Sequence, residues 1–451
     1  MKNVLFITYY FPPSGGSGVQ RGLKMVKYLT DFGWKPTVLT VDPEYASYPV
    51  TDAQLLEDIP DGVRVVRTKS RDPYAAYASW TGKKKSESVG VGFLGSQHTS
   101  WKERLARWVR ANLFIPDARR GWARYAQKRA AELVSELQFD AIVSTGPPHS
   151  AHLISESLSR SEGIPWVADI RDAWPDVAYA DLLPTTALAR GRDIRMRNRV
   201  LKSASRRIAV TEDLASEMKR GVGADFEVIR NGFDPQDFRS LESLNLTGFT
   251  IVHTGSMAPA RNPLPLWELL SEDGSRQRWP DLRLVLVGNV DSTIHDAASR
   301  AGVSDLVEHV PYVPHSQALQ YTISASVLIL PINRVSEAAG IVTGKIYEYL
   351  ASSRPIIGLG DPQGEAAAIL RESQSGAMFD YTDVDGLRDE IDRHYHAWRS
   401  GSPLNGASQS AAAPFSRREQ SGQLAVVLDS LASEKTTALD ASRGRQNEAG
   451  T

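Results

Sequence analysis

Cysteine is absent from the 451 residues, which excludes a disulfide framework, thiolate metal ligands and a cysteine nucleophile, and fits a reducing compartment. A run of about 18 apolar residues, enough to cross a bilayer, is missing too. The opening segment, Met1 to Thr8, lacks the length and the small-residue cleavage pattern of a secretory signal. Nor is there an excess of either charge. Lys and Arg total 52 against 53 Asp and Glu, for a formal net charge of −1, so no global field argues for nucleic acid, and no nucleic-acid motif accompanies the local basic segments. The expectation is a soluble cytoplasmic protein, too long for one core, with two domains of ordinary size plus tails.

What is present is a repeated alternation of short apolar runs and helical segments. Val4 to Thr8 reads as a strand covered on both faces. It leads into Phe11-Pro-Pro-Ser-Gly15-Gly16-Ser-Gly18 and a helix from Val19 to Phe32. The glycines let backbone approach a ligand closely, and Arg21 and Lys24 add charge near the helix start, although a bare tight turn reads equally well. Residues 69–100 lose the pattern and read as a long irregular insertion. Trp101 to Asn112 returns to helical spacing. Across 101–130 the basic residues Lys102, Arg104, Arg107, Arg110, Arg119, Arg120, Arg124, Lys128 and Arg129 face only Glu103 and Asp117. Tryptophan beside arginine suits an anionic membrane surface, and a solvated helix packing its tryptophans inward is the plainer alternative.

Two strand ends in the first half carry chemistry. Phe139 to Thr145 runs into Gly146-Pro-Pro-His149, and Ile164 to Ala168 into Asp169-Ile-Arg171-Asp172-Ala-Trp174. Turns at the carboxyl ends of parallel strands are where open α/β sheets place their ligands. His149, Asp169, Arg171 and Asp172 are therefore the catalytic candidates, with a structural Asp–Arg network as the alternative. In the second half Arg261 follows a glycine turn and suits a diphosphate. Near the end, Thr343-Gly344-Lys345 opens a helix whose start suits a phosphate, and Glu348 one turn on can accept hydrogen bonds from hydroxyls.

In order and spacing these segments resemble the GT-B glycosyltransferases of the family 4 type. The likeness runs from the Phe11-Pro-Pro-Ser-Gly-Gly loop through Asn231-Gly-Phe-Asp234 to Gly344-Lys345-x-x-Glu348-Tyr-Leu-Ala and Arg354-Pro355. The Gly146-Pro-Pro-His149 and Asp169-Ile-Arg171-Asp172 segments look like a bacterial subgroup that builds surface polysaccharides. The resemblance implies an α/β chain of two Rossmann-like, doubly wound domains facing a central cleft. The expected domains are 1–240 on the acceptor side and 241–414 on the donor side, then a helix at 415–433 packing back on the first domain and a disordered tail at 434–451. It implies retaining sugar transfer from a nucleotide sugar to a glycan or lipid-linked acceptor, with no metal or other cofactor. Gly15, Gly16, Arg261, Thr343, Gly344, Lys345 and Glu348 would bind the donor. The chain departs from the family pattern twice. Gly340 stands where a first glutamate of a pair would be, with Glu337 three residues earlier, and Asp169-Ile-Arg171-Asp172 occupies a strand end where many members have a histidine. A nucleotide-sugar 2-epimerase of the same fold and a non-catalytic nucleotide-sugar binder are the alternatives. A peripheral position on the inner membrane face follows if the basic segment docks there.

Overall fold

The computed structural model describes residues 1–71, 101–175, 184–334 and 338–448, so the insertion from 72 onward, Glu337 and the last three residues lie outside the described set. The chain divides into two compact units, residues 1–230 together with the chain from Gln420 onward, and Asn231–Glu419. The expected boundaries were 240/241 and 414/415.

The first unit holds a seven-stranded sheet in the order β3-β2-β1-β4-β5-β6-β7. Its strands are β1 (Lys2–Ile7), β2 (Trp34–Val41), β3 (Arg64–Thr68), β4 (Ala141–Gly146), β5 (Trp166–Ile170), β6 (Arg206–Ala209) and β7 (Glu227–Val228). Every neighbouring pair is parallel. Its helices include α1 (Ser17–Leu29), α2 (Trp101–Leu113), α3 (Arg120–Glu136), α4 (Ser150–Glu162), α5 (Ala187–Ser203) and α6 (Glu212–Val222). The continuous apolar run in β1 is explained by burial on both sides. Leu5 and Ile7 enter a core with Trp122, while Val4 and Phe6 enter a second core with Leu23 and Val26 of α1.

The second unit repeats the plan with six strands in the order β10-β9-β8-β11-β12-β13. These are β8 (Phe249–Thr254), β9 (Leu282–Val287), β10 (Val307–Val310), β11 (Val327–Pro331), β12 (Ile356–Leu359) and β13 (Gly376–Phe379), again all parallel. Its helices include α7 (Leu264–Ser271), α8 (Ser292–Arg300), α9 (His315–Ser324), α10 (Lys345–Ala351), α11 (Glu365–Glu372) and α12 (Val384–Arg399). In each sheet the strand order reverses once, between β1 and β4 and between β8 and β11. Such a reversal opens a crevice at the carboxyl ends of the strands.

The last helix, α13 (Arg417–Glu448), returns the chain to the first unit. Leu424, Ala425, Leu428 and Leu431 are buried in the core that holds Val4 and Phe6. Asp429 accepts from Lys2 Nζ at 2.8 Å and from Trp34 Nε1 at 3.1 Å. The backbone stays helical to Glu448, through most of the stretch expected to be a disordered tail. That stretch is polar, but it lacks proline, and Ala, Glu, Lys, Arg and Gln, which favour helix, make up half of it.

Candidate active site

In the second unit the site begins where β8 ends. Gly255 takes φ +96°, a backbone conformation that favours glycine, and the end of the Lys345 side chain crosses the turn there, its Cε 2.5 Å from where a Cβ would stand. Lys345 Nζ and Arg261 Nη1 both reach the Ser256 carbonyl, at 3.5 and 3.3 Å. Arg261 is aimed from its other edge by Asn333, whose Oδ1 accepts from Nε at 2.5 Å. Neither cation makes a salt bridge among the described residues. Burial, and then the neighbouring Arg261, pulls the Lys345 ammonium down to about 8, with Glu348 opposing. Two like charges converge here, and neither is ion-paired among the described residues, an arrangement that favours binding an anion. Beside them the Thr343 hydroxyl is buried without a hydrogen-bond partner among the described residues.

Glu348 lies one turn into α10, with Oε1 3.0 Å from His315 Nε2. A carboxylate only accepts, so the imidazole carries a proton on that nitrogen. The helix itself is fixed from behind. Ile346, Tyr347 and Leu350 are buried, and the Tyr349 hydroxyl accepts from Thr254 N–H at 2.9 Å.

In the first unit Arg171 clamps the loop after β4. Its guanidinium donates to the carbonyls of Gly18 at 2.6 Å, Pro147 at 2.5 Å and Gly146 at 3.2 Å. His149 is buried, stacks on Trp174 at 4.7 Å with rings 4° from parallel, and has both ring nitrogens without hydrogen bonds among the described residues. Burial, then His152 and Arg171, holds its pKa well below the usual range, so the ring is neutral. Its neighbour His152 is engaged through Nδ1 with Ser144 Oγ at 2.8 Å, and burial brings it down to about 3. Asp172 is exposed.

Three placements differ from the sequence reading. The strand expected to stop at Ala168 continues through Ile170, which pairs Asp169 with Thr145 and Ile208 in register. Asp169 is fully buried, and its oxygens are taken by Arg21 at 2.7 and 2.9 Å and by Thr145 Oγ1 at 2.7 Å. Its carboxylate is thus held in an Asp–Arg network inside the sheet rather than standing beyond the strand end. For the same reason Arg21 is not a surface charge at the glycine loop, and Lys24 is bound to Asp58 at 2.7 Å. Gly15 is buried against Val50 and Asp52 and its N–H donates to the Val50 carbonyl at 2.8 Å, leaving Gly16, exposed with φ +82°, as the open position of that loop. Asn333 and His315 were not singled out, because their partners are 72 and 33 residues away and no local pattern links them. The first-glutamate candidate Glu337 lies outside the described residues.

The description Glycosyltransferase Family 4 matches residues 89–237, and Glycosyl transferases group 1 matches residues 239–402. Among curated proteins none matches the sequence. Solved structures share the fold at low identity. HepE from Anabaena, in complex with UDP and glucose, is 15% identical, with 95% of this chain and 100% of that one covered and a TM-score of 0.59; the same protein is also solved with UDP-glucose. A glycosyltransferase from Rickettsia africae is 12% identical over 95% of this chain and 98% of its own, with a TM-score of 0.59. The lipopolysaccharide outer core galactosyltransferase WaaB is 10% identical over 94% and 99%, with a TM-score of 0.53.

Proposed function

The chain belongs to the GT-B glycosyltransferases of the family 4 type, and from that premise we propose that its second unit binds a nucleoside-diphosphate sugar for retaining transfer to a glycan or lipid-linked acceptor. One observation carries this reading. Arg261 and Lys345 converge on one carbonyl without a salt bridge to either among the described residues, and Glu348 stands one helical turn away. A diphosphate supplies the missing negative charge, and the Thr343 hydroxyl and the helix start add donors to it. Glu348 is an acceptor suited to the paired hydroxyls of a ribose.

When the bond from the sugar to the diphosphate breaks, negative charge grows on the departing oxygen. Fixed cations aimed there stabilise that state without reorganising, and in this proposal they do the work that a divalent ion does elsewhere. In the first unit, the neutral His149 with unengaged nitrogens suits hydrogen bonding to a sugar hydroxyl, and Arg171 holds the loop that presents it. The nucleotide sugar as donor is supported by the UDP-glucose complex of HepE, and a surface-glycan acceptor by the described role of WaaB.

The test is a screen of nucleotide-sugar turnover, with and without acceptor, on the wild type and on Glu348→Ala and Arg261→Ala. Both variants are expected to lose donor hydrolysis and transfer while remaining folded. Activity retained in both would sink the reading, and conversion of the donor alone into an epimer would replace it with the 2-epimerase.

A further inference from the structure

We propose that His315 is the positioning residue for Glu348. It holds one carboxylate oxygen so that the carboxylate meets a ligand's vicinal hydroxyls already oriented, and it keeps that carboxylate off Lys345. The inference deepens the donor site above and rests on it.

Lys345 and Glu348 are three apart on one helix, the natural spacing for an ion pair. No salt bridge joins them, and the carboxylate is instead paired with His315 on a different helix. Had Glu348 turned to Lys345, it would have neutralised a charge that the diphosphate needs and withdrawn an acceptor from the hydroxyls. His315 thus separates the cationic and anionic halves of one site. Its own direction is set by the chain. Pro314 at φ −54° and ψ 151° precedes it at the start of α9, after the turn that follows β10.

The pair is not there for stability. The side chains are 51% and 33% exposed, and exposed pairs of this kind contribute little. The helix carrying Glu348 is already fixed by its buried face and by the Tyr349–Thr254 bond. What the pair supplies is order. A free glutamate has three rotatable bonds to freeze when a ligand arrives, and a held one has fewer.

The experiment uses the full chain with His315→Ala, His315→Phe and His315→Gln. Phenylalanine keeps a ring but cannot donate, and glutamine keeps a donor. Binding of uridine diphosphate, with guanosine and adenosine diphosphates tried in parallel, is measured by calorimetry, KM and kcat are separated with the cognate nucleotide sugar, and melting is followed. The alanine and phenylalanine variants are expected to bind the diphosphate about tenfold more weakly, to raise KM with kcat held, and to melt with the wild type, and the glutamine variant to recover most of the affinity. Wild-type affinity in the phenylalanine variant, or a fall in kcat at constant KM, would overturn the positioning role alone. A wild type that binds none of the diphosphates would overturn the donor-site reading and this inference with it.

Discussion

Asp169 shows how much one residue's environment decides. Burial pushes its carboxyl up, and the Arg21 guanidinium, together with hydrogen bonds from Arg21 and Thr145, more than reverses this and holds it below the usual carboxylate range. A folded-state pKa below the unfolded value contributes stability that is fully present above the unfolded value, about 3.9, and lost as pH falls through the folded one. Asp169→Asn leaves Arg21 buried without its counter-ion, so a loss of about 3–5 kcal/mol is expected in denaturant melts near neutral pH. The acid limb of the variant's stability curve is expected to be shallower than the wild type's, and a parallel limb would remove Asp169 as its source. At this scale the sequence was readable where the chemistry is local. Lys345 and Glu348 share one helical turn, and Arg261 follows its own glycine turn. Asp169 was misplaced because strand register, not spacing, decides whether a residue at a strand end is inside the sheet or beyond it.

Among the elements, α2 and α5 make a surface that neither has alone. Asn112 at the end of α2 donates to the Pro184 carbonyl at 2.9 Å and accepts from Thr186 N–H at 2.8 Å, just before α5 begins. Trp101 is 67% exposed and Leu188 79%, and Trp108 and Leu113 are exposed as well. Around them lie the exposed Arg104 of α2 and Arg190, Arg192 and Arg195 of α5. Trp122 and Arg119, by contrast, are drawn into the fold, the first into the core and the second onto Ser47 and Tyr9. The membrane expectation for 101–130 therefore narrows to α2 and gains α5. We expect co-sedimentation with anionic vesicles that weakens with salt, is absent with zwitterionic ones and falls in Trp108→Ala with Arg192→Glu. Equal sedimentation of that double variant would remove the surface from consideration. The strand–helix alternation was legible because buried parallel strands are apolar throughout, whereas the pairing of two polar helices leaves no periodic trace.

For the molecule as a whole, the outstanding feature is the path of the last helix. Leu428 on α13 is fully buried in a core of the first unit that includes Val4, Leu23 and Trp34 from near the amino terminus and Val143, Val167 and Ile208 from the strands beyond. Leu428→Ala is expected to destabilise the first unit by about 2–5 kcal/mol. Hydrogen exchange should show faster opening of β1 and β2 with the second sheet's protection unchanged, and an equal loss in both sheets would contradict the assignment of α13 to the first unit. The apolar stripe of this helix was visible in the sequence, but the helical continuation to Glu448 was not, because composition alone makes a polar segment look unstructured. A ribosome delivers the chain from its amino end, so the unit begun first must wait for Leu424 to Leu431 before its hydrophobic floor is closed. The second unit is complete before that, so the unit that is started earlier is the one whose packing closes later.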